Sequence, residues 1–218
     1  MEFGSLFLGL PLFLRMLPVL SEKIGTRLTP PIIPILIAIS GAALICLLRT
    51  TPFTLRDLVE LSTPTRRDWA IMLGRFVVLA IVLTIALVSV KPGGLLNFPK
   101  TRPRLWILVL CLYPIVSVFP QGIIYRALYS HRYATCFPPA WRTLVGAAVF
   151  SFAHLPFANG YALAFTFVGG WLFLTSYSRT RSLLFSVIEH ALYGNFLFTI
   201  GWGEFFFHAG TLQMLSQQ

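Results

Sequence analysis

Two histidines, an arginine and an amide interrupt stretches that are otherwise lipid-soluble. Gln121, Gly122 and Arg126 lie in Pro120-Gln121-Gly122-Ile123-Ile124-Tyr125-Arg126. His154 lies in Phe150-Ser151-Phe152-Ala153-His154-Leu155, and His190 in Glu189-His190-Ala191-Leu192-Tyr193-Gly194-Asn195. A charged side chain in a membrane helix costs roughly 2.5–3.5 kcal/mol on insertion scales, so such groups face a bundle interior or a water-filled cavity. Residues four apart share a helix face, which puts Gly122 and Arg126 on one side. Imidazole can take a proton from water or donate one to an oxygen near neutral pH, which suits it to acid–base work. A single histidine so placed reads most simply as a core group bonded to a backbone carbonyl. Polar clusters on three spans predict instead one shared internal cavity.

Paired histidines also suggest zinc, but these two are 36 residues apart on different helices. No His-Glu-x-x-His arrangement supplies ligands together with a base. Neither a metal nor a cofactor is expected. Proton relay or transport is a separate alternative, because intramembrane His and Glu also serve pumps. The chain lacks the paired broken helices in two matching halves that mark many transporters. Cys46 and Cys111 fall inside apolar stretches, where cysteine acts as a small hydrophobe, and no disulfide framework is expected.

These side chains need elements to hold them. Of the 218 residues, 56% are hydrophobic and 11% charged, against roughly 25% charged in soluble domains. The composition is that of a polytopic membrane protein whose main partner is the lipid bilayer. The 17 Lys and Arg outnumber 7 Asp and Glu, but they are scattered between apolar stretches. They read as loops facing anionic headgroups, not as a nucleic-acid surface. Apolar runs predict spans over 6–20, 31–48, 68–90, 105–125, 140–157, 160–177 and 183–207. Residues 54–61 predict a short surface helix, and Arg75 is placed to snorkel from the end of its span. Glu2 stands where a cleavable signal would be basic, so the first stretch is expected to be retained. The fold class is all-α, with about seven transmembrane helices in one domain covering 1–218.

The three clusters, in this order on three late spans, resemble the motifs of the CPBP family of intramembrane proteases. That family includes the type II CAAX prenyl endopeptidases and bacterial relatives linked to bacteriocin processing and immunity. Its motifs are Glu-Glu-x-x-x-Arg, Phe-x-x-x-His, and His-x-x-x-Asn or a small residue, and the resemblance covers about 105–207. Arg126, Phe150, His154 and His190 match. Gln121 and Gly122 stand where both glutamates would be, and Asn195 falls one residue late, with Gly194 at the usual position.

The resemblance implies a glutamate-dependent hydrolase that cuts a membrane-associated or CAAX-like peptide in the bacterial cytoplasmic membrane. His154 would orient or deprotonate water, His190 and Asn195 would donate to the oxyanion, and Arg126 would hold the missing carboxylate ionised at position 122. Glu189 is adjacent to His190 but points about 100° away on a helix. Glu204 is 14 residues beyond His190, about 21 Å along a helix. Gln121 can position a water through its amide but cannot deprotonate it. The alternatives are a catalytically inactive relative that binds a peptide or membrane protein, and a small transporter.

Overall fold

The computed structural model describes residues 2–23, 26 and 30–206, and every regular element among them is helical. In chain order the long helices are α1 (Glu2–Lys23), α2 (Ile32–Thr50), α3 (Arg66–Val90), α4 (Pro103–Cys136), α5 (Arg142–Phe152), α6 (Gly160–Thr180) and α7 (Leu183–Ile200). Their ends follow local chemistry. Thr65 and Asp68 form a reciprocal capping box that starts α3 two residues before the predicted boundary. Asn159 caps α6 through Ala162 N–H, and Ser182 caps α7 through Phe185 N–H.

Five of the described helices are long and apolar enough to cross a membrane: α1, α2, α3, α4 and α7. Among the described residues five of the expected seven spans thus meet that length and apolarity. The predicted span 140–157 is a helix of 11 residues followed by a tight turn through His154, about 16 Å of rise against a hydrocarbon core of roughly 30 Å. α6 has the length, but Thr166, Gly169, Gly170, Thr175, Ser176 and Tyr177 dilute its apolar character. The predicted last span ends early. Gly201 takes φ +129° and breaks the helix at Ile200, where a Cβ would meet the Gly94 carbonyl oxygen at 2.5 Å. A short 3-10 segment, Trp202–Phe206, follows, and Phe207 lies outside the described residues. The predicted surface helix is a single 3-10 turn, Leu55–Leu58.

α4 runs past the predicted end at Tyr125 as far as Cys136, with wide π-type turns at Pro114–Val118 and Ile123–Tyr133. Pro114 has no N–H for the Leu110 carbonyl, and Asn195 Nδ2 of α7 donates to that oxygen at 3.3 Å. α4 and α7 are antiparallel partners: Trp106 Nε1 donates to Thr199 Oγ1, Tyr113 meets His190, and Gly122 meets Leu183 and Val187. α1 docks on the far half of α4 through Phe7, fully buried among the rings of Tyr125, Tyr129 and Tyr133. α5 and α6 pack closely because Gly170 has no side chain. A Cβ there would sit 2.9 Å from the Phe150 ring and 3.1 Å from Ala147 Cα. That approach fixes Phe150, and with it the turn that carries His154.

Candidate active site

A cavity of about 900 Å³ lies between these helices, with Tyr113, Ser117, Gln121, Phe150, His154 and His190 on its wall. Both histidines therefore face one space. Phe150 separates them, its ring centroid 4.9 Å from the His154 imidazole and 5.5 Å from that of His190.

The hydrogen bonds assign opposite tautomers to the two rings. Arg126 Nη2 lies 3.1 Å from His190 Nδ1. A guanidinium only donates, so Nδ1 must accept and the proton of neutral His190 sits on Nε2. That N–H points to Tyr113 Oη at 3.2 Å, which leaves the tyrosine hydroxyl proton available to the cavity. His154 is reversed: Nδ1 donates to the Phe150 carbonyl at 2.8 Å, leaving an Nε2 lone pair. Stacking of His190 on Phe173, centroids 4.6 Å apart and planes 22° apart, fixes the direction of its N–H.

Arg126 does not open onto the cavity. It is 1% exposed, sandwiched between Phe150 and Phe173 with its guanidinium carbon 4.8 and 5.1 Å from the ring centroids. Its long side chain reaches His190 of α7. Gly122 and Arg126 do share a side, but that side is packed on α7. A Cβ at Gly122 would lie 2.8 Å from Val187 Cγ2 and 3.3 Å from Leu183 Cδ1. The neighbouring Gln121 is the one that lines the cavity. Its Nε2 donates to Ser117 Oγ at 2.8 Å, and its Oε1 is buried without a partner.

Asn195 is placed away from the cavity wall, where its Nδ2 serves Leu110. Gly194 lines the wall instead, and its missing side chain is what admits the Tyr113 ring. Glu189 has a different partner from any expected. Its carboxylate, fully buried, takes a hydrogen bond from Arg75 Nη2 at 2.8 Å, and Ser176 Oγ accepts from the same nitrogen at 2.9 Å. Arg75 therefore turns into the bundle and does not snorkel. Glu204 pairs with Lys91 at 2.5 Å.

Among the described residues no three His, Cys, Asp or Glu come together as a metal-binding group. Two cavity residues were missed in the sequence, Tyr113 and Ser117. Their signal was there, since Tyr113, Ser117 and Gln121 recur every four residues along one face of an apolar helix.

Comparison with known proteins adds one match. The family described as type II CAAX prenyl endopeptidase Rce1-like matches residues 103–197, a stretch containing Tyr113, Gln121, Arg126, His154 and His190. No curated protein and no solved structure matches the chain.

Proposed function

We propose that the chain is an intramembrane endopeptidase of the CAAX-protease type, hydrolysing a peptide bond of a membrane-associated or CAAX-like substrate in a bacterial cell membrane. The observation that carries this reading is the pair of opposite tautomers on one cavity, an imidazole lone pair at His154 and an imidazole N–H at His190. Hydrolysis needs one of each. A water in the cavity gives a proton to His154 Nε2 while its oxygen attacks the substrate carbonyl carbon. The carbonyl oxygen becomes an oxyanion and accepts from Tyr113 O–H, whose oxygen takes the His190 Nε2–H. Collapse breaks the C–N bond, and His154 passes its proton to the departing amine. A positioned base typically contributes about 10²- to 10⁴-fold, and each oxyanion donor about 10²- to 10³-fold. Asn195, kept in place on Leu110, acts in this scheme by holding α4 against α7.

A second reading, a relative that binds a membrane peptide without turning it over, is favoured by Gln121. An amide cannot take up a proton as a carboxylate does, and none of the described residues lining the cavity is Asp or Glu. The test is to reconstitute the full chain in liposomes with farnesylated and unmodified CAAX peptides and a transmembrane peptide, following products by mass spectrometry. Cleavage that disappears in His154→Ala supports hydrolysis. Saturable peptide binding with no product above the His154→Ala control supports the second reading.

A further inference from the structure

The buried charges do not balance. Glu189 Oε1 is 2.8 Å from Arg75 Nη2, while its Oε2 is buried without a hydrogen-bond partner, and this one carboxylate stands against two cations, Arg75 and Arg126. Arg126 is a buried cation that makes no ion pair with a carboxylate among the described residues. Its Nη2 is on His190, its Nη1 has no partner, and two aromatic faces supply the rest of its surroundings. A buried cation without a counter-ion is costly, and a hydrogen-bonded anion nearby relieves that cost.

The cavity presents the matching donors at the same end. Tyr113, whose oxygen accepts the His190 Nε2–H, turns its own O–H to it, and Ser117, whose oxygen already accepts from Gln121, has its own proton free to donate. From there the cavity runs along α1 and α2 between Leu6, Leu10, Leu14, Ile35, Ile39 and Leu112, with no polar side chain among them. A peptide laid in that arm would leave its amides without partners in an apolar setting, whereas a hydrocarbon chain brings none. A volume of about 900 Å³ falls within the roughly 300–1,000 Å³ of sites that enclose a small organic ligand.

We propose that this cavity binds a single-chain lipid carboxylate, a free long-chain fatty acid, with its carboxylate at the Tyr113 and Ser117 hydroxyls, the former backed by His190 and Arg126, and its tail along the α1–α2 arm. The bound anion supplies the negative charge that Gln121 and Gly122 do not. This binding does not rest on peptide hydrolysis and is measured without it.

The experiment is calorimetric titration of the purified full chain, in a non-ionic detergent, with oleate, with oleyl alcohol, and with an apolar peptide bearing a free C-terminal carboxylate. Oleate should bind saturably at one per chain and at least about tenfold more tightly than the alcohol, the gap a charge-assisted hydrogen bond supplies. Arg126→Gln should close that gap and Arg126→Lys should keep it. Where Arg126→Gln fails to purify as a single species, Tyr113→Phe provides the comparison and should narrow the gap. Equal affinity for oleate and oleyl alcohol in the unaltered protein would overturn the proposal, as would the absence of saturable oleate binding. Binding of the peptide carboxylate in preference to oleate would overturn the assignment to a lipid. Peptide cleavage is read in a separate assay, so failure of either leaves the other standing.

Discussion

Replacing Gln121 by glutamate tests the site more directly than any deletion. The two side chains have nearly the same shape, so Gln121→Glu keeps the packing. It also turns the interaction with Ser117, 2.8 Å from the amide nitrogen, into a hydroxyl-to-carboxylate hydrogen bond. The new charge would occupy a position already 9% exposed and facing the cavity, in a bundle whose buried guanidinium at Arg126 lacks a counter-ion. If a carboxylate there activates water beside His154, cleavage should rise by about 10²- to 10⁴-fold, equivalent to roughly 3–5 kcal/mol of barrier.

The neighbouring substitution Gly122→Glu is the control. Its Cβ would come within 2.8 Å of Val187 Cγ2, on a stiff branched side chain packed into α7. Overpacking of this kind costs about 1–3 kcal/mol, against the roughly 1 kcal/mol that replacing a helical glycine returns. Gly122→Glu should therefore melt lower than the unaltered chain and gain little activity. The assay is product formation from a membrane peptide in liposomes, each variant paired with its His154→Ala counterpart and checked for monodispersity. Should Gln121→Glu fold normally yet cleave no faster than its His154→Ala control, base catalysis at this cavity is refuted and the binding reading stands.

Other consequences can be checked separately. Arg75→Met would strand the Glu189 carboxylate at zero exposure and should lower stability by about 3–5 kcal/mol, while Arg75→Met with Glu189→Gln should recover most of it; chemical denaturation in detergent measures both. Tyr113→Phe removes the acceptor for His190 Nε2–H, so the imidazole ¹⁵N resonances of His190 should shift while those of His154 stay. In the Gln121→Glu background the same change should cost about 10²-fold in rate. Outside the spans, Glu60 is held down to about 2 by the Ser62 hydroxyl and amide, with Arg56 adding to the effect. Because its folded value lies below the ordinary 4.5, its contribution to loop order is complete above that pH and is lost only as pH falls toward 2. A carboxyl NMR titration showing a midpoint near 4.5 would contradict this.

Much of the architecture was legible because apolar run length is a strong signal: α2, α3 and α7 begin within two residues of the predicted starts. The failures share a cause. Hydropathy records how apolar a segment is and not how its backbone ends, so 140–157 read as one span although it turns at His154. Likewise 183–207 hid a break that needs the positive φ of Gly201. Arg75 was misplaced for a related reason. Its position near a span end is equally compatible with snorkelling and with an internal partner, and the partner, Glu189, is 114 residues away in sequence. Helix-face arithmetic put Gly122 and Arg126 on one side, as they are. It could not tell that the side was closed by Val187 and that the open one belonged to Gln121.

The two imidazoles are not interchangeable, and the backbone and a buried cation make them so. His154 takes its tautomer from a carbonyl one turn back on its own helix, a bond that forms wherever the α5 end is intact. His190 takes its tautomer from Arg126, which reaches it from α4. Neutralising Arg126 would remove the donor that obliges Nδ1 to accept and free the ring to adopt the other tautomer, with its lone pair toward Tyr113. The arginine at 126 therefore sets an imidazole N–H that is donated to Tyr113, whose own proton is turned to the cavity. The imidazole lone pair left on the cavity wall among the described residues is then that of His154.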